Sequence, residues 1–258
     1  MLAFYLPDGD GRFTATELTR GPWDADAQHA GPPAALLARA LERLVDRESG
    51  ILARITFDIL RPVPIGGVEV EADVVRGGRS VELLTGTLRT GGQDTIRATA
   101  RRIRTTDVGA TAGLDHEALA SPETAAEGRF FPVPWEVGYH TAMEHRCVRG
   151  GFTQLGPAVV WLRMRHPLVA GEEPSPLSRA VVAADSGNGV SAALDFDRFV
   201  FVNTDLTVQL HRLPEGEWVA LDARTTVEAH GVGLAESVIH DRRGPLGRGL
   251  QSLFVARR

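Results

Sequence analysis

The chain has 258 residues, with 28 basic side chains against 33 acidic ones and a formal charge of −5. This length is sufficient for one large domain or for two of roughly 125 residues. The mild acidity gives no general attraction to nucleic acid, for which a basic stripe is typical. Every basic residue is arginine, which excludes Schiff-base and other lysine-dependent chemistry.

Cysteine content and hydropathy give further information on the class of protein. Cys147 is the only cysteine, so no internal disulfide can form. No apolar run approaches the roughly 20 residues needed to cross a membrane. Residues 1–8 lack the basic segment followed by an apolar stretch that marks a signal peptide. We therefore expect a cytoplasmic protein without a membrane span.

The first part of the chain predicts strands, one helix and then more strands. Short strand patterns at 4–6 and 12–17 precede a helix that starts at Pro32 and Pro33. Leu37, Leu41 and Leu44 recur at helical spacing on one face of it. Alternating or β-branched residues predict four further strands, which Gly-Gly pairs separate, at about 51–61, 68–76, 80–90 and 94–104.

The second part predicts the same order of elements. Two strands at about 140–149 and 157–166 precede a helix at 177–185. The strands predicted after this helix lie at about 199–212, 217–229, 232–241 and 247–256. Residues 108–135, rich in Ala, Thr, Glu and Gly, lack a clear strand pattern and are predicted to be a linker.

A shift of 151 positions aligns the two parts. Residues 55–61 then fall on 206–212, and apolar and polar positions keep phase over roughly 50 residues. We predict an α+β double hot-dog: two tandem copies of a long helix wrapped by a curved antiparallel sheet. The N-terminal copy spans 1–107 and the C-terminal copy 136–258. A single sheet of this kind leaves an exposed edge, which pairing of the two linked copies would cover. A homo-oligomer of such protomers is also expected.

Asp185 and Gln251 are polar residues in otherwise apolar segments. Asp185 ends the apolar helix segment 180–184, where an unpaired carboxylate would be desolvated; a residue at an ordinary helix-ending turn is the alternative. Under the 151 shift it falls on Ala34, so only the second copy has the acid. Gln251 lies in the last predicted strand and falls on Ala100; its amide could hold a water, or simply be exposed.

Asn203 and Thr204 lie side by side, and only one of them can face the helix. Strand alternation alone directs Thr204 toward the core, whereas a bulge at the strand start would reverse this. Gly31 precedes the two prolines of the first helix. A backbone N–H at a helix start favours developing negative charge, although a glycine needed only for the loop is an equal alternative.

Other known site patterns are absent from the sequence. There is neither a Gly-x-Ser-x-Gly nucleophile elbow nor a phosphate-binding Gly-rich loop with lysine. His140, Glu144 and His145 lack a third ligand at metal spacing, so no metal site is expected.

Two stretches resemble the acyl-CoA thioesterase II-like, double hot-dog family: residues 21–40, and the second part from Ala184-Asp185 through Asn203-Thr204-Asp205 and His211-Arg212 to Gln251. The resemblance implies that Asp185, a middle residue and Gln251 order a water that attacks the thioester of an acyl-CoA or other acyl thioester, without metal or cofactor. Alignment on His211-Arg212 puts Asn203 at the middle position, where the family usually has Thr. The thioester carbonyl would accept from the Gly31 N–H.

Two other functions are compatible with the same sequence. An enoyl-CoA hydratase of the hot-dog class uses an Asp and a His five residues apart, the spacing of Asp24 and His29, but the Asn-Pro expected between them is absent. A non-catalytic acyl-thioester-binding protein of the same fold is the other alternative.

Overall fold

A single sheet of fourteen strands runs through the part of the chain that the structure, a computed structural model, describes: residues 2–45, 50–111, 113 and 117–258. The strands are β1 (Tyr5–Pro7), β2 (Arg12–Ala15), β3 (Gly50–Ile59), β4 (Gly67–Arg76), β5 (Val81–Thr90), β6 (Gln93–Arg104), β7 (Ala126–Glu127), β8 (Met143–Gly151), β9 (Gln154–Met164), β10 (Phe199–Asn203), β11 (Asp205–Leu210), β12 (Val219–Val227), β13 (Val232–Asp241) and β14 (Gly244–Arg257). The helices are α1 (Gly31–Arg43), α2 (Tyr139–Ala142), α3 (Pro176–Ala184) and α4 (Gly187–Val190).

The strand order divides the sheet into two parts. It runs β1-β2-β4-β5-β6-β3-β11-β14-β13-β12-β9-β8-β7, and β10 pairs with β14 beside this path. The named strands pair antiparallel throughout. β3 and β11 meet in the middle, and we call their pairing the seam. Strands from the first part of the chain therefore lie on one side of the seam and strands from the second part on the other.

The two long helices lie in the core of the molecule, packed against the sheet. α1 packs on β3–β6, α3 packs on β9 and β11–β13, and the helices also pack on each other. The prolines in the first turn of α1 cost little because the first N–H groups of a helix lack intrahelical acceptors. At the start of α3 the Ser175 hydroxyl accepts the Ser178 N–H at 3.1 Å. Leu37 and Leu41 of α1 are fully buried, as the helical spacing predicts, and so is Leu36. Leu44, which the same spacing put on the apolar face, caps the end of the helix and is 42% exposed.

The strands of the two parts correspond at the 151-residue offset, but the helices do not. β5 and β13 begin and end 151 positions apart. At the seam Thr56 faces Thr207, with 3.1 Å between their hydroxyl oxygens. By contrast, α1 and α3 begin 145 positions apart. Ala34 therefore lies in the first turn of α1, whereas Asp185 follows the last turn of α3, so the two are not structural counterparts.

Three segments depart from the predicted elements. The strand predicted at 140–149 starts with α2, because Tyr139 turns into the core and its N–H donates to the Arg20 carbonyl. The strand predicted at 199–212 is interrupted at Thr204. The predicted linker 108–135 contributes β7, although residues 112 and 114–116 lie outside the described residues. None of the helices described is both long and apolar enough to span a membrane.

Candidate active site

Asp185 is the centre of a buried polar cluster. It caps the C-terminal end of α3 and is only 3% exposed. One carboxylate oxygen, Oδ1, accepts from Asn203 Nδ2 at 2.8 Å and lies 3.4 Å from Gln251 Nε2. The other, Oδ2, lies 2.9 Å from His29 Nδ1. A buried carboxylate needs such donors, because desolvation without them is costly.

A bulge determines which of Asn203 and Thr204 meets Asp185. Asn203 faces Leu253 of β14, and Thr207 faces Leu250, so the stretch 203–207 has one residue more than the facing stretch. The extra residue reverses the alternation: Phe201 and Asn203 point inward before the bulge, and Leu206 and Val208 point inward after it. Thr204 is exposed, and its hydroxyl donates to the Ser252 carbonyl at 3.3 Å. Strand alternation without the bulge gives the wrong residue.

Gln251 is held in one orientation by its neighbours. It is 2% exposed, and its Nε2 donates to the Asp185 carbonyl oxygen at 3.0 Å. Its Oε1 accepts the Asn188 N–H at 2.9 Å. A Cβ on Gly187 would lie 2.8 Å from Ser237 Oγ and 2.9 Å from this Oε1, so the glycine leaves room for the Gln251 side chain. The interpretation of Gln251 as an exposed strand residue is wrong.

His29 is the cluster member that the sequence did not assign to Asp185. Its ring stacks on Tyr139 with 3.7 Å between centroids and 5° between planes. The Tyr139 hydroxyl lies 2.8 Å from Ser186 Oγ and 3.0 Å from the Val182 carbonyl oxygen, which fixes the ring under His29. His29 and Asp185 are 156 positions apart, so no local pattern could pair them.

Asp24, the acid of the hydratase spacing, lies in the wall of the same cavity as His29. Its Oδ1 accepts the Asp26 N–H at 2.9 Å, and the side chain is exposed. The carboxylate that His29 contacts belongs to Asp185 instead. Asp24 and His29 therefore have different hydrogen-bond partners.

Gly31 lies where α1 approaches α3. A Cβ on it would be 2.7 Å from the Val182 carbonyl oxygen and 3.3 Å from Asp185 Cβ. Its N–H points to His29 Nδ1 at 3.2 Å. One ring nitrogen cannot donate to Asp185 and accept from Gly31 at once. When Nδ1 carries the proton toward Asp185, the Gly31 N–H is left for another acceptor.

A cavity of about 270 Å³ opens onto this cluster. Asp185, Asn203 and His29 lie in its wall, together with Asn188. Most of the lining is apolar and aromatic, with Trp23, Val63, Phe130, Phe131, Phe152 and Phe201 among its members. Both sides of the seam and the predicted linker contribute, so the cavity exists only when all three are assembled. Its shape and lining suit an apolar group that ends at a polar reactive centre.

In the His140, Glu144 and His145 group, the carboxylate is held by two arginines. Glu144 is bound by Arg146 at 2.9 Å and by Arg163 at 2.5 Å. Among the described residues no group of three or more His, Cys, Asp or Glu side chains could hold a metal ion. Burial, with the positive charge of Arg165 nearby, lowers the pKa of His145 to about 3, which keeps its ring neutral.

Arg212, from the His211-Arg212 pair, has a structural contact rather than a place in the cavity. Its guanidinium binds both carboxylate oxygens of the fully buried Asp241, at 2.5 and 2.6 Å. Burial by itself would raise the pKa of Asp241, but hydrogen bonds from Arg212 and from the Glu215 and Arg243 N–H groups lower it. The pair anchors the end of β11 to the β13–β14 turn.

The chain is similar to known protein families and to solved structures. Family models of the acyl-CoA thioesterase N-terminal domain and C-terminal domain match residues 19–103 and 117–255. No curated protein matches the chain. Similar solved structures include a hot-dog protein of unknown function from Alicyclobacillus acidocaldarius, with 17% identity, 96% and 92% of the two chains covered and a TM-score of 0.74. A tesB protein from Mycobacterium avium subs. paratuberculosis is 17% identical, with 98% of this chain and 96% of that chain covered and a TM-score of 0.69. The acyl-CoA thioesterase II TesB2 from Mycobacterium marinum is 14% identical, with 96% and 94% of the two chains covered and a TM-score of 0.66.

These matches define a thioester hydrolase with a hot-dog fold. The C-terminal domain model alone matches more than half of the chain. The chain belongs to the acyl-CoA thioesterase family.

Proposed function

We propose that this protein hydrolyses acyl-CoA thioesters by direct attack of a water molecule that Asp185 activates. The observation that carries the proposal is the Asp185 carboxylate, which is buried at the end of an apolar cavity and contacted by Asn203, Gln251 and His29. Carboxylates of this kind act as general bases when a water can reach them.

The reaction follows from the positions of these groups. A water held by Asn203 and Asp185 loses its proton to the carboxylate as its oxygen attacks the thioester carbonyl carbon. The oxyanion accepts the Gly31 N–H, which is available when His29 Nδ1 carries its proton toward Asp185. The carbon–sulfur bond then breaks, and the thiolate takes the proton from the Asp185 carboxyl group. Hydrolysis leaves a free acid and a thiol, with the enzyme unchanged.

We also propose that the fold is a double hot-dog, with copies at 1–107 and 136–258. The 151-residue offset between corresponding strands supports it, as does the pairing of Thr56 with its counterpart Thr207 across the seam. One helix for each side of the seam is a further support. In this arrangement His29 and Gly31 come from one copy, and Asp185, Asn203 and Gln251 from the other, which explains why the acid occurs only once.

The aromatic wall of the cavity supports a fatty acyl or related apolar acyl group as substrate. Burial of each methylene contributes about 0.8 kcal/mol, so the acyl chain can provide most of the binding free energy. The cytoplasmic location and the homo-oligomeric state stay predictions from the sequence.

Thiol release from a panel of acyl-CoA substrates tests the assigned base. We expect Asp185→Asn to lower kcat by about 10²- to 10⁴-fold, the usual contribution of a general base. Asp197→Asn, which changes an exposed carboxylate in the same way, is the matched control and should leave kcat unchanged. Unchanged turnover in Asp185→Asn would reject the mechanism, and binding of acyl-CoA without thiol release by the wild type would favour a non-catalytic role.

A second pair of variants distinguishes the two candidates for the middle position. Asn203→Ala removes the donor to Asp185 and should lower kcat by about 10-fold or more, since one charged hydrogen bond contributes about 1.5–3 kcal/mol. Thr204 also lies in the cavity wall, but its hydroxyl donates to the Ser252 carbonyl and not to Asp185. Thr204→Ala should therefore leave kcat within about twofold of wild type. The opposite ranking in a steady-state assay would assign the position to Thr204.

A further inference from the structure

Three arginines lie close together where β10 begins and β14 ends. They are Arg198, Arg257 and Arg258, which we call the arginine cluster. Phe199 pairs with Arg257 across the two strands, and the Arg258 N–H donates to the Arg198 carbonyl oxygen at 3.1 Å. All three side chains are exposed.

The guanidinium groups of the cluster rest on aromatic rings. Arg258 lies 4.6 Å from the ring centre of Phe196 and 5.4 Å from that of Trp23. Arg198 and Arg257 each lie 5.9 Å from the ring centre of Phe199. Stacking of this kind uses the flat face of a guanidinium and leaves its N–H edge free to donate.

In the described part of the chain, none of these three guanidiniums forms an ion pair. This separates them from arginines such as Arg39, Arg163 and Arg212, which are bound to carboxylates. Asp195 and Asp197 are on the same loop, but Asp195 accepts the Asp197 N–H rather than an arginine. Three neighbouring guanidiniums without an ion pair have N–H groups free to bind an anion.

The cluster adjoins the cavity through Trp23. Trp23 lines the cavity, and its ring lies 5.0 Å from that of Phe201, another lining residue. The opposite side of the cluster is open to solvent. An anionic group held by Arg258 would therefore be at the rim of the cavity, outside the apolar wall.

We propose that the arginine cluster binds the phosphate groups of coenzyme A while the acyl end of the substrate occupies the cavity. The inference rests on the proposed function, because the phosphates reach the cluster only when the thioester lies at Asp185 and its carrier extends toward Trp23. Coenzyme A carries a diphosphate and a separate phosphate on its nucleotide end, and guanidinium forks bind phosphate oxygens in pairs. A site with several arginines suits a ligand with several phosphate groups better than a ligand with one phosphate group.

The experiment compares two thioesters of one acyl group, one on coenzyme A and one on N-acetylcysteamine, which has no phosphate. The variant Arg198→Gln/Arg257→Gln/Arg258→Gln should raise KM for the coenzyme A thioester at least 10-fold and leave kcat within twofold. Its kinetics on the N-acetylcysteamine thioester should not change. Arg76→Gln/Arg79→Gln, at exposed arginines of the β4–β5 turn, is the matched control and should match the wild type on both substrates.

Binding of free coenzyme A by calorimetry separates failure of this inference from failure of the proposed function. The triple variant should bind coenzyme A at least 10-fold more weakly than wild type, whether or not thioesters are cleaved. Equal effects on both thioesters, or none on either, would overturn the proposal. So would an increase in KM confined to an acyl carrier protein substrate, which would assign the cluster to an acidic protein surface.

Discussion

At the scale of single residues, buried polar groups in this protein are tolerated by two different means. Asp185 keeps a carboxylate in the core because Asn203, Gln251 and His29 surround it with donors. His145 lacks such partners: it is 5% exposed, and its Nε2 has no hydrogen-bond partner among the described residues. Burial instead keeps its ring uncharged. The core therefore holds Asp185 by surrounding it with donors and holds His145 by keeping its ring neutral.

The neutral His145 predicts a loss of stability in acid. Its folded-state pKa of about 3 lies below the usual value of 6.5, so below pH 6.5 only the unfolded state takes up the proton. Stability from this residue is fully present above pH 6.5 and falls toward pH 3. Between pH 7 and pH 5 the loss should be about 2 kcal/mol.

The variant His145→Phe removes the titrating ring and keeps an aromatic ring next to Phe130 and Phe152, so it measures this contribution to stability. Urea denaturation at pH 7 and at pH 5 should show the variant losing about 2 kcal/mol less than wild type over that interval. Other titrating groups contribute equally to both proteins and cancel in the difference. Equal losses would show that His145 is protonated in the folded protein.

At the scale of elements, the contact between α1 and α3 sets the geometry of the site. Gly31 and Val182 meet at this contact, and Asp185 and His29 are carried on either side of it. The bulge after β10 performs the corresponding task in the sheet, because it turns Asn203 inward. Small irregularities in regular elements therefore turn Asn203 and His29 toward Asp185.

Gly31→Ala tests the helix contact. The added methyl group would meet the Val182 carbonyl oxygen at 2.7 Å, so the helices must separate. We expect a loss of about 1–3 kcal/mol in the free energy of unfolding, as for other overpacked sites, and a lower kcat because Asp185 Cβ is displaced. Gly67→Ala, where a methyl group meets no atom within 4 Å, should change stability by no more than about 0.5 kcal/mol. Equal stability of both variants in urea would contradict this contact.

At the scale of the whole molecule, the cavity joins the two sides of the seam. Trp23 and His29 come from before the seam strand β3, while Asp185 and Asn203 come from the second part of the chain. β1 also crosses over, since the Phe4 and Tyr5 N–H groups donate to the carbonyls of Pro167 and Leu168. Neither side can form the site by itself.

This continuity predicts that the two sides unfold together. The seam and the α1–α3 contact link them, so opening one side exposes the core of the other. Hydrogen exchange of β5 and β13, which occupy corresponding positions on the two sides, should report the same free energy of opening within about 1 kcal/mol. A difference of several kcal/mol would mean that the sides are independent cooperative units.

Several features could be predicted from the sequence because they depend on local periodicity. Glycine pairs and alternation give β4, β5 and β6 nearly to the residue, and the spacing of Leu37 and Leu41 gives α1. The acid at Asp185 is visible because it interrupts an apolar helix segment. The family, too, follows from residue patterns that keep their order along the chain.

The tertiary structure alone decided which side chains meet. The pairing of His29 with Asp185 joins residues 156 positions apart, and the choice of Asn203 over Thr204 depends on one extra residue in a strand. Neither leaves a local signal in the sequence. Periodicity shows which face of one element is apolar, but it does not show how two elements pack against each other. Sequence therefore determined the elements and the candidate acid, and packing of α1 on α3 and of β10 on β14 determined the site.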